Sequence, residues 1–264
     1  MKFLSEFLKP QKSDALINGR FCLGKKTSAG LGRTSVTDRA RIEVYTKNSD
    51  QMIVAAVADG HLGEPHGETA EIAVNTFFDT IKNSVQKEPV ELIEEAFQAA
   101  NIAVYSRNLS MDEPGFCTLT AALITKKRVF VGNIGNGRVY LIQANNKLQQ
   151  ITLDHVYGNL KGGNIEGKDA FKLAHVLGRK EKVGVDTGFY FEGRTTDPKT
   201  AFRLGWAGLP LHDGDTVLLC TDGLVSLTNE GIRYASDKEL VEAIQTEYAP
   251  SAAVKMVGYA EGRK

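Results

Sequence analysis

At 264 residues, 42% hydrophobic and 24% charged, the chain has the composition of a globular protein with room for one large domain or two small ones. Lysine plus arginine and aspartate plus glutamate both number 32, so charge gives no sign of a nucleic-acid or anionic-membrane partner. Cys22, Cys117 and Cys220 are scattered, odd in number and in no metal-ligand spacing, as in a reduced, cytoplasmic protein, and no apolar run reaches the ~18–20 residues that span a bilayer.

The stretch Met1–Pro10 places Phe3, Leu4, Phe7 and Leu8 on one helical face but is too short and too charged for a signal peptide. Residues 1–19 are expected to form an N-terminal arm, either a docking helix or a flexible tail. Residues 20–264 are expected to form a single domain, since no Pro/Ser-rich linker divides them. Strands are expected at 20–27, 39–47 and 51–59, the last fully buried. A helix then starts near Pro65 with Ala70, Val74, Phe77 and Ile81 at helical spacing, and a second starts at Pro89 with Ile93, Phe97, Ala100 and Val104. Three closely spaced strands, 116–125, 127–133 and 137–143, read as an antiparallel meander. A short helix is expected around 169–176, and two strands with a mobile loop within 183–214. A strand at 215–221 precedes a capping box, Ser236-x-x-Glu239, that opens a helix to about 248; Pro250 starts a last helix reaching Gly262. Grouped rather than alternating strands and helices give an α+β fold with antiparallel sheets.

Two of the apolar strands run straight into Asp-Gly pairs, at Asp59-Gly60-His61 and Asp222-Gly223. Each pair alone is a common turn after a strand. Together, two carboxylates held at rigid strand ends can converge on a hard cation such as Mg²⁺ or Mn²⁺.

With these pieces in order, the chain resembles the metal-dependent protein phosphatases of the type 2C family. The resemblance runs from about Gly30 to Arg263. Asp59-Gly60-His61-Leu62-Gly63, followed by Gly67-Glu68-x-Ala70, is similar to the family's DGHGG segment and the helix after it. Gly115-Phe-Cys-Thr118-Leu-Thr-Ala121-Ala122 is similar to its GSTA-type strand entry, Gly135-Asn136-Gly137-Arg138 to its GDSR turn, and Asp154-His155 to the DH that follows. Gly214-Asp215 and Leu218-Leu219-Cys220-Thr221-Asp222-Gly223-Leu224 are similar to GD…LLCSDGL.

The resemblance implies two packed antiparallel β-sheets flanked by helices, a four-layer αββα sandwich with a dinuclear site in a shallow cleft at the sheet edges. It implies Mn²⁺ or Mg²⁺ as cofactor, two ions, with Asp38, Asp59, the Gly60 carbonyl and Asp222 as metal ligands. Arg33, in Gly32-Arg33-x-x-x-x-Asp38, would hold phosphate oxygens with its planar guanidinium. His61 is the candidate general acid for the leaving seryl or threonyl oxygen, with a structural histidine as the plainer reading. His66, His155, His175 and His212 have no spacing that suggests zinc. Partner choice in the family falls to a region corresponding to about 183–212. The expected partner is a phosphorylated protein, the product of a serine/threonine kinase, met by a monomer with no nucleic-acid or membrane ligand.

The departures from the pattern gather at the metals. Thr37 stands where the family has a glutamate, Asn136 where it has an aspartate, and the Asp-Asn pair of the last core strand is not found before Lys264. Each change removes a negative charge from a site for divalent cations, and a sheet without its last strand would expose an edge. Two further readings therefore stand beside an active protein serine/threonine phosphatase. One is a pseudophosphatase, a phosphoprotein-binding or regulatory module that stays folded without metal. The other is a small-molecule phosphatase or phosphodiesterase on the same scaffold.

Overall fold

The computed structural model describes residues 22–28, 36–47, 50–61, 67–84, 87–125, 127–160, 167–191, 197–227 and 233–262; the side chains of Lys47, His61 and Lys168 fall outside that description. Strands β1 (Asp38–Lys47) and β2 (Asp50–His61) form a long antiparallel pair in which Asp38 lies opposite Asp59. β2 continues the ladder to β4 (Leu119–Ile124), β4 to β5 (Arg128–Ile134) and β5 to β8 (Leu209–Pro210), while β3 (Phe116–Cys117) pairs with the end of β2 at Gly60 and His61. The first sheet thus has the order β1-β2-β4-β5-β8 with β3 beside β2. The second sheet has the order β7-β6-β9, from β6 (Arg138–Ile142), β7 (Leu148–Gln150) and β9 (Thr216–Cys220).

Strand periodicity builds three cores from these two sheets. On β2, Met52, Val54, Ala56 and Ala58 face one way and meet Phe77, Phe78 and Ile81 of α1 (Glu68–Ser84) and Ile93, Phe97 and Val104 of α2 (Pro89–Asn108). Ile53, on the other face, joins Ala122 and Ile124 of β4, Val129 and Val131 of β5 and Val139 and Leu141 of β6 in the core between the sheets. Tyr140 of β6 and Cys220 of β9 face outward from the second sheet toward α6 (Asp237–Thr246) and α7 (Ala249–Glu261), packing with Leu240, Ala243, Met256 and Val257. Helices, sheet, sheet, helices is the four-layer arrangement expected. The remaining short elements are α3 (Tyr157–Leu160), a 3-10 turn at Gly167–Phe171, α4 (Pro198–Ala207) and α5 (Asp222–Val225).

Several expectations need correction. Residues 22–27 form no strand: the segment passes so close over the start of α7 that a Cβ on Gly24 would lie 2.4 Å from the Ala249 backbone. The three strands after α2 are not a simple meander. Gly135, at φ 112° and with the Thr118 side chain 2.4 Å from where a Cβ would stand, turns the chain out of the first sheet, so β6 pairs with β7 and β9 instead of β5. Within 183–214 the ordered element is largely helical: Asp197 caps α4 by accepting from the Thr200 N–H at 2.9 Å, Pro198 stands in its first turn, and only the two-residue β8 follows. The helix expected around 169–176 is the shorter 3-10 turn. Pro65 lies outside the described residues; the helix is described from Glu68.

Among the described residues β9 pairs only with β6. Its other side borders a cavity of about 450 Å³ lined by β1, β2 and α7 residues such as Ile42, Ile53, Met256 and Val257; neither Asp59 nor Asp222 lines it.

Candidate active site

Asp59 sits near the end of β2, and its backbone is held from both sides by Thr118, the one residue between β3 and β4. The Asp59 N–H donates to Thr118 Oγ1 at 3.1 Å, and the Asp59 carbonyl accepts from the Thr118 N–H at 2.9 Å. Gly60 follows, its N–H donating to the Thr37 carbonyl at 3.3 Å; a Cβ there would come within 2.8 Å of that oxygen, which is why a glycine stands at this position. Asp222 comes from the other sheet, as the first residue of α5 directly after β9 and Thr221.

The two carboxyl groups face each other across the gap between the sheets. Burial first, and then the charge of Asp59, together raise the Asp222 carboxyl to about 6, against the Asn136 amide and the Arg138 charge, which both lower it. Asn136 Nδ2 donates to Asp222 Oδ2 at 3.0 Å. Two facing carboxyl groups, one raised by the charge of the other and bonded by a neutral amide, match the charge and oxygen-donor chemistry of a hard divalent cation. Among the described residues no three His, Cys, Asp or Glu side chains are grouped to hold a metal, so water and backbone oxygens would complete the shell of an ion between Asp59 and Asp222.

Asp38 takes a different place. Its carboxylate is fully buried, accepts from Thr221 Oγ1 at 3.0 Å, and has Thr37 Oγ1 at 3.4 Å from its other oxygen. Thr37, in the family's glutamate position, is itself buried and turned onto this neighbour. Arg33 lies outside the described residues. His61 is described as the last residue of β2, opposite Phe116, but not its side chain. The candidate phosphate clamp and the side chain of the candidate general acid thus lie outside the described residues.

The other motif residues turn out to brace this site. Arg138 holds Asp154 in a two-pronged ion pair, Nε at 3.0 Å from both oxygens and Nη2 at 2.7 Å from Oδ2, and Arg138 Nη1 donates to the Tyr140 hydroxyl at 3.1 Å. The Gly135 turn is locked to His155: the His155 N–H donates to the Gly135 carbonyl at 2.8 Å, and His155 Nδ1 accepts from the Gly135 N–H at 3.3 Å. With Nδ1 accepting, the ring proton is on Nε2, directed at Asp186 Oδ2 3.3 Å away. Asn133 ties the crossing further, accepting from Thr120 Oγ1 at 2.6 Å and donating to the Leu153 carbonyl at 2.9 Å. Sequence reasoning missed Thr118 and Thr221 as site-building residues. Both stand inside the quoted motifs, but a hydroxyl's distant partner leaves no local signature.

Comparison with known proteins agrees with this arrangement. Residues 36–168 match the Protein phosphatase 2C family model. The chain is 33% identical over 217 residues, 74% of its own length and 78% of the relative's, to the serine/threonine phosphatase stp of Listeria welshimeri. The fold is shared with the S. agalactiae serine/threonine phosphatase at TM-score 0.66 and 16% identity, covering 89% of this chain and 90% of that one. It is shared too with the catalytic domain of the serine threonine protein phosphatase PstP in complex with 2 manganese ions, at TM-score 0.58 and 22% identity over 85% and 91% of the two chains. A family match running from just before β1 into the 3-10 turn, a relative matched over most of its length, and two sheets that bring Asp59 and Asp222 face to face lead to one conclusion: the chain belongs to the protein phosphatase 2C family.

Proposed function

We infer that this chain is a metal-dependent protein serine/threonine phosphatase that hydrolyses phosphoserine and phosphothreonine monoesters with water as the nucleophile. The observation that carries the reading is the facing pair Asp59 and Asp222, delivered by strand ends of two different sheets in a chain of this family. Asp59, the Gly60 carbonyl and Asp222 would hold Mn²⁺ or Mg²⁺. When bound, such an ion supplies Lewis acidity toward phosphoryl oxygens and lowers the pKa of water in the site.

The chain's own residues do the positioning. Thr118 fixes Asp59, Asn136 orients Asp222, and the Arg138–Asp154 pair and the His155 lock support the turn that carries Asn136. Arg33 is the proposed bidentate clamp on phosphate oxygens and His61 the proposed donor of a proton to the leaving seryl or threonyl oxygen. A phosphorylated protein, the product of a serine/threonine kinase, is the proposed substrate. Two exposed aromatics on α4, Phe202 and Trp206 with ring centroids 6.3 Å apart, support docking of a polypeptide within the 183–212 region. Residues 20–264 act as one catalytic unit in this reading, as a cytoplasmic monomer. Among the described residues no helix is long and apolar enough to cross a membrane.

The test is turnover of p-nitrophenyl phosphate and a phosphothreonine peptide in millimolar Mn²⁺ against EDTA, with Asp59→Ala as background. Turnover that needs Mn²⁺ and disappears in the variant is the expected result. Folded protein with no turnover above Asp59→Ala would instead favour a phosphoprotein-binding role.

A further inference from the structure

Asp38 opens β1 and Thr221 follows β9, and the two touch where the sheets meet, 183 residues apart in sequence. Both are buried, Asp38 at 0% and Thr221 at 1% exposure. Thr221 stands at the N-cap of α5 with extended backbone, φ −76° and ψ 167°, where a threonine hydroxyl ordinarily accepts from a free N–H of the first turn. No such cap bond forms; the hydroxyl is directed to Asp38 Oδ2 instead.

The consequence is geometric. Asp38 is the ladder partner of Asp59, and Thr221 is bonded covalently to Asp222. The ladder, the hydrogen bond and the peptide bond form three sides of a circuit whose fourth side is the gap between the Asp59 and Asp222 carboxyl groups. Fixing three sides sets the fourth. Asn136 then holds the Asp222 carboxyl from beyond the circuit.

We propose that Asp38 is a positioning residue in this chain: through Thr221 it sets the spacing of Asp59 and Asp222, and with it the affinity of the site for a divalent cation. The proposal rests on the reading of Asp59 and Asp222 as the metal-holding pair. A buried carboxylate must be compensated, and here a hydroxyl from the opposite sheet contributes to that compensation, so the bond that satisfies Asp38 also clamps the two sheets together. Partners standing behind metal ligands typically contribute about 10–100-fold in metal affinity.

Thr221→Val removes the hydroxyl at nearly constant volume, and Thr221→Ser retains it. Mn²⁺ affinity of the full chain is measured by titration calorimetry without substrate, and folding by the melting temperature in EDTA. The expected result is Mn²⁺ binding weakened about tenfold or more by Thr221→Val, preserved by Thr221→Ser, and little further affected when Asp38→Asn is added to Thr221→Val. Wild-type affinity in Thr221→Val overturns the proposal. So does a loss from Asp38→Asn that adds fully to that of Thr221→Val, which would mark Asp38 as a direct ligand. If Thr221→Val does not fold, Thr221→Ala replaces it; failure of both to fold overturns the proposal in favour of a purely structural bond. Folded wild-type protein that binds no Mn²⁺ overturns the metal-site reading as well, whereas wild-type binding abolished by Asp59→Ala and untouched by Thr221→Val removes the positioning proposal alone.

Discussion

The Asn136 amide donates to Asp222 where a carboxylate would repel it, so it eases the crowding of Asp59 and Asp222 and would attract a cation in the proposed site less strongly than an aspartate. Asn136→Asp is expected to raise Mn²⁺ affinity by about an order of magnitude, following the added ligand charge. It should also lower the melting temperature in EDTA, because Asp59 and Asp222 already crowd each other; calorimetry and thermal melts check the two halves. Thr37→Glu should raise turnover at limiting Mn²⁺; no gain at any Mn²⁺ concentration would show that a carboxylate at this position adds nothing to metal binding. A different balance governs Arg138 and Asp154, whose side chains are 19% and 13% exposed. Their Coulomb gain is offset by desolvation, but Asp154→Ala strands the guanidinium and should cost ~3–5 kcal/mol in urea unfolding.

Between elements, apolar packing outweighs capping. Phe77 of α1 and Phe97 of α2 meet edge to face at 5.4 Å, both fully buried, and Phe97 also covers Gly132 of β5. Phe97→Ala leaves a cavity and should cost ~3–5 kcal/mol. Ser236→Ala removes a capping box from α6 and should cost only ~1 kcal/mol. Urea unfolding of the two variants tests that order. At the same scale, α4 shows a signal that was present and unused: Asp197 followed by Pro198 is a cap and a first-turn proline, but the glycines and threonines around it read as loop.

For the whole molecule, the site spans both sheets, so an ion bound there should stabilise the fold and not merely a loop. At free Mn²⁺ of 100 times its dissociation constant, linkage contributes ~2.7 kcal/mol. For a chain of this size that is a rise of about 5–10 °C in melting temperature. EDTA should reverse it and Asp59→Ala should abolish it; an unchanged melt in wild type would place no cation between the sheets.

Much of this molecule was legible from residue order. Apolar runs ending in Asp-Gly pairs marked β2 and β9, the helical stripes marked α1 and α2, and Ser236-x-x-Glu239 marked the start of α6, because each depends on neighbours within a turn or a pleat. The two Asp-Gly strand ends and the spaced motifs pointed to Asp59 and Asp222 for the same reason. Only the tertiary structure decided that Gly135 sends β6 into the second sheet, that Thr118 grips Asp59, and that Thr221 reaches Asp38 instead of capping α5. Those contacts join residues far apart in the chain, and a hydroxyl or a glycine has the same local meaning wherever its partner lies. The sequence by itself determined which carboxylates stand at strand ends; the packing of two sheets decided which of them face each other, because that gap is closed by bonds no local pattern records.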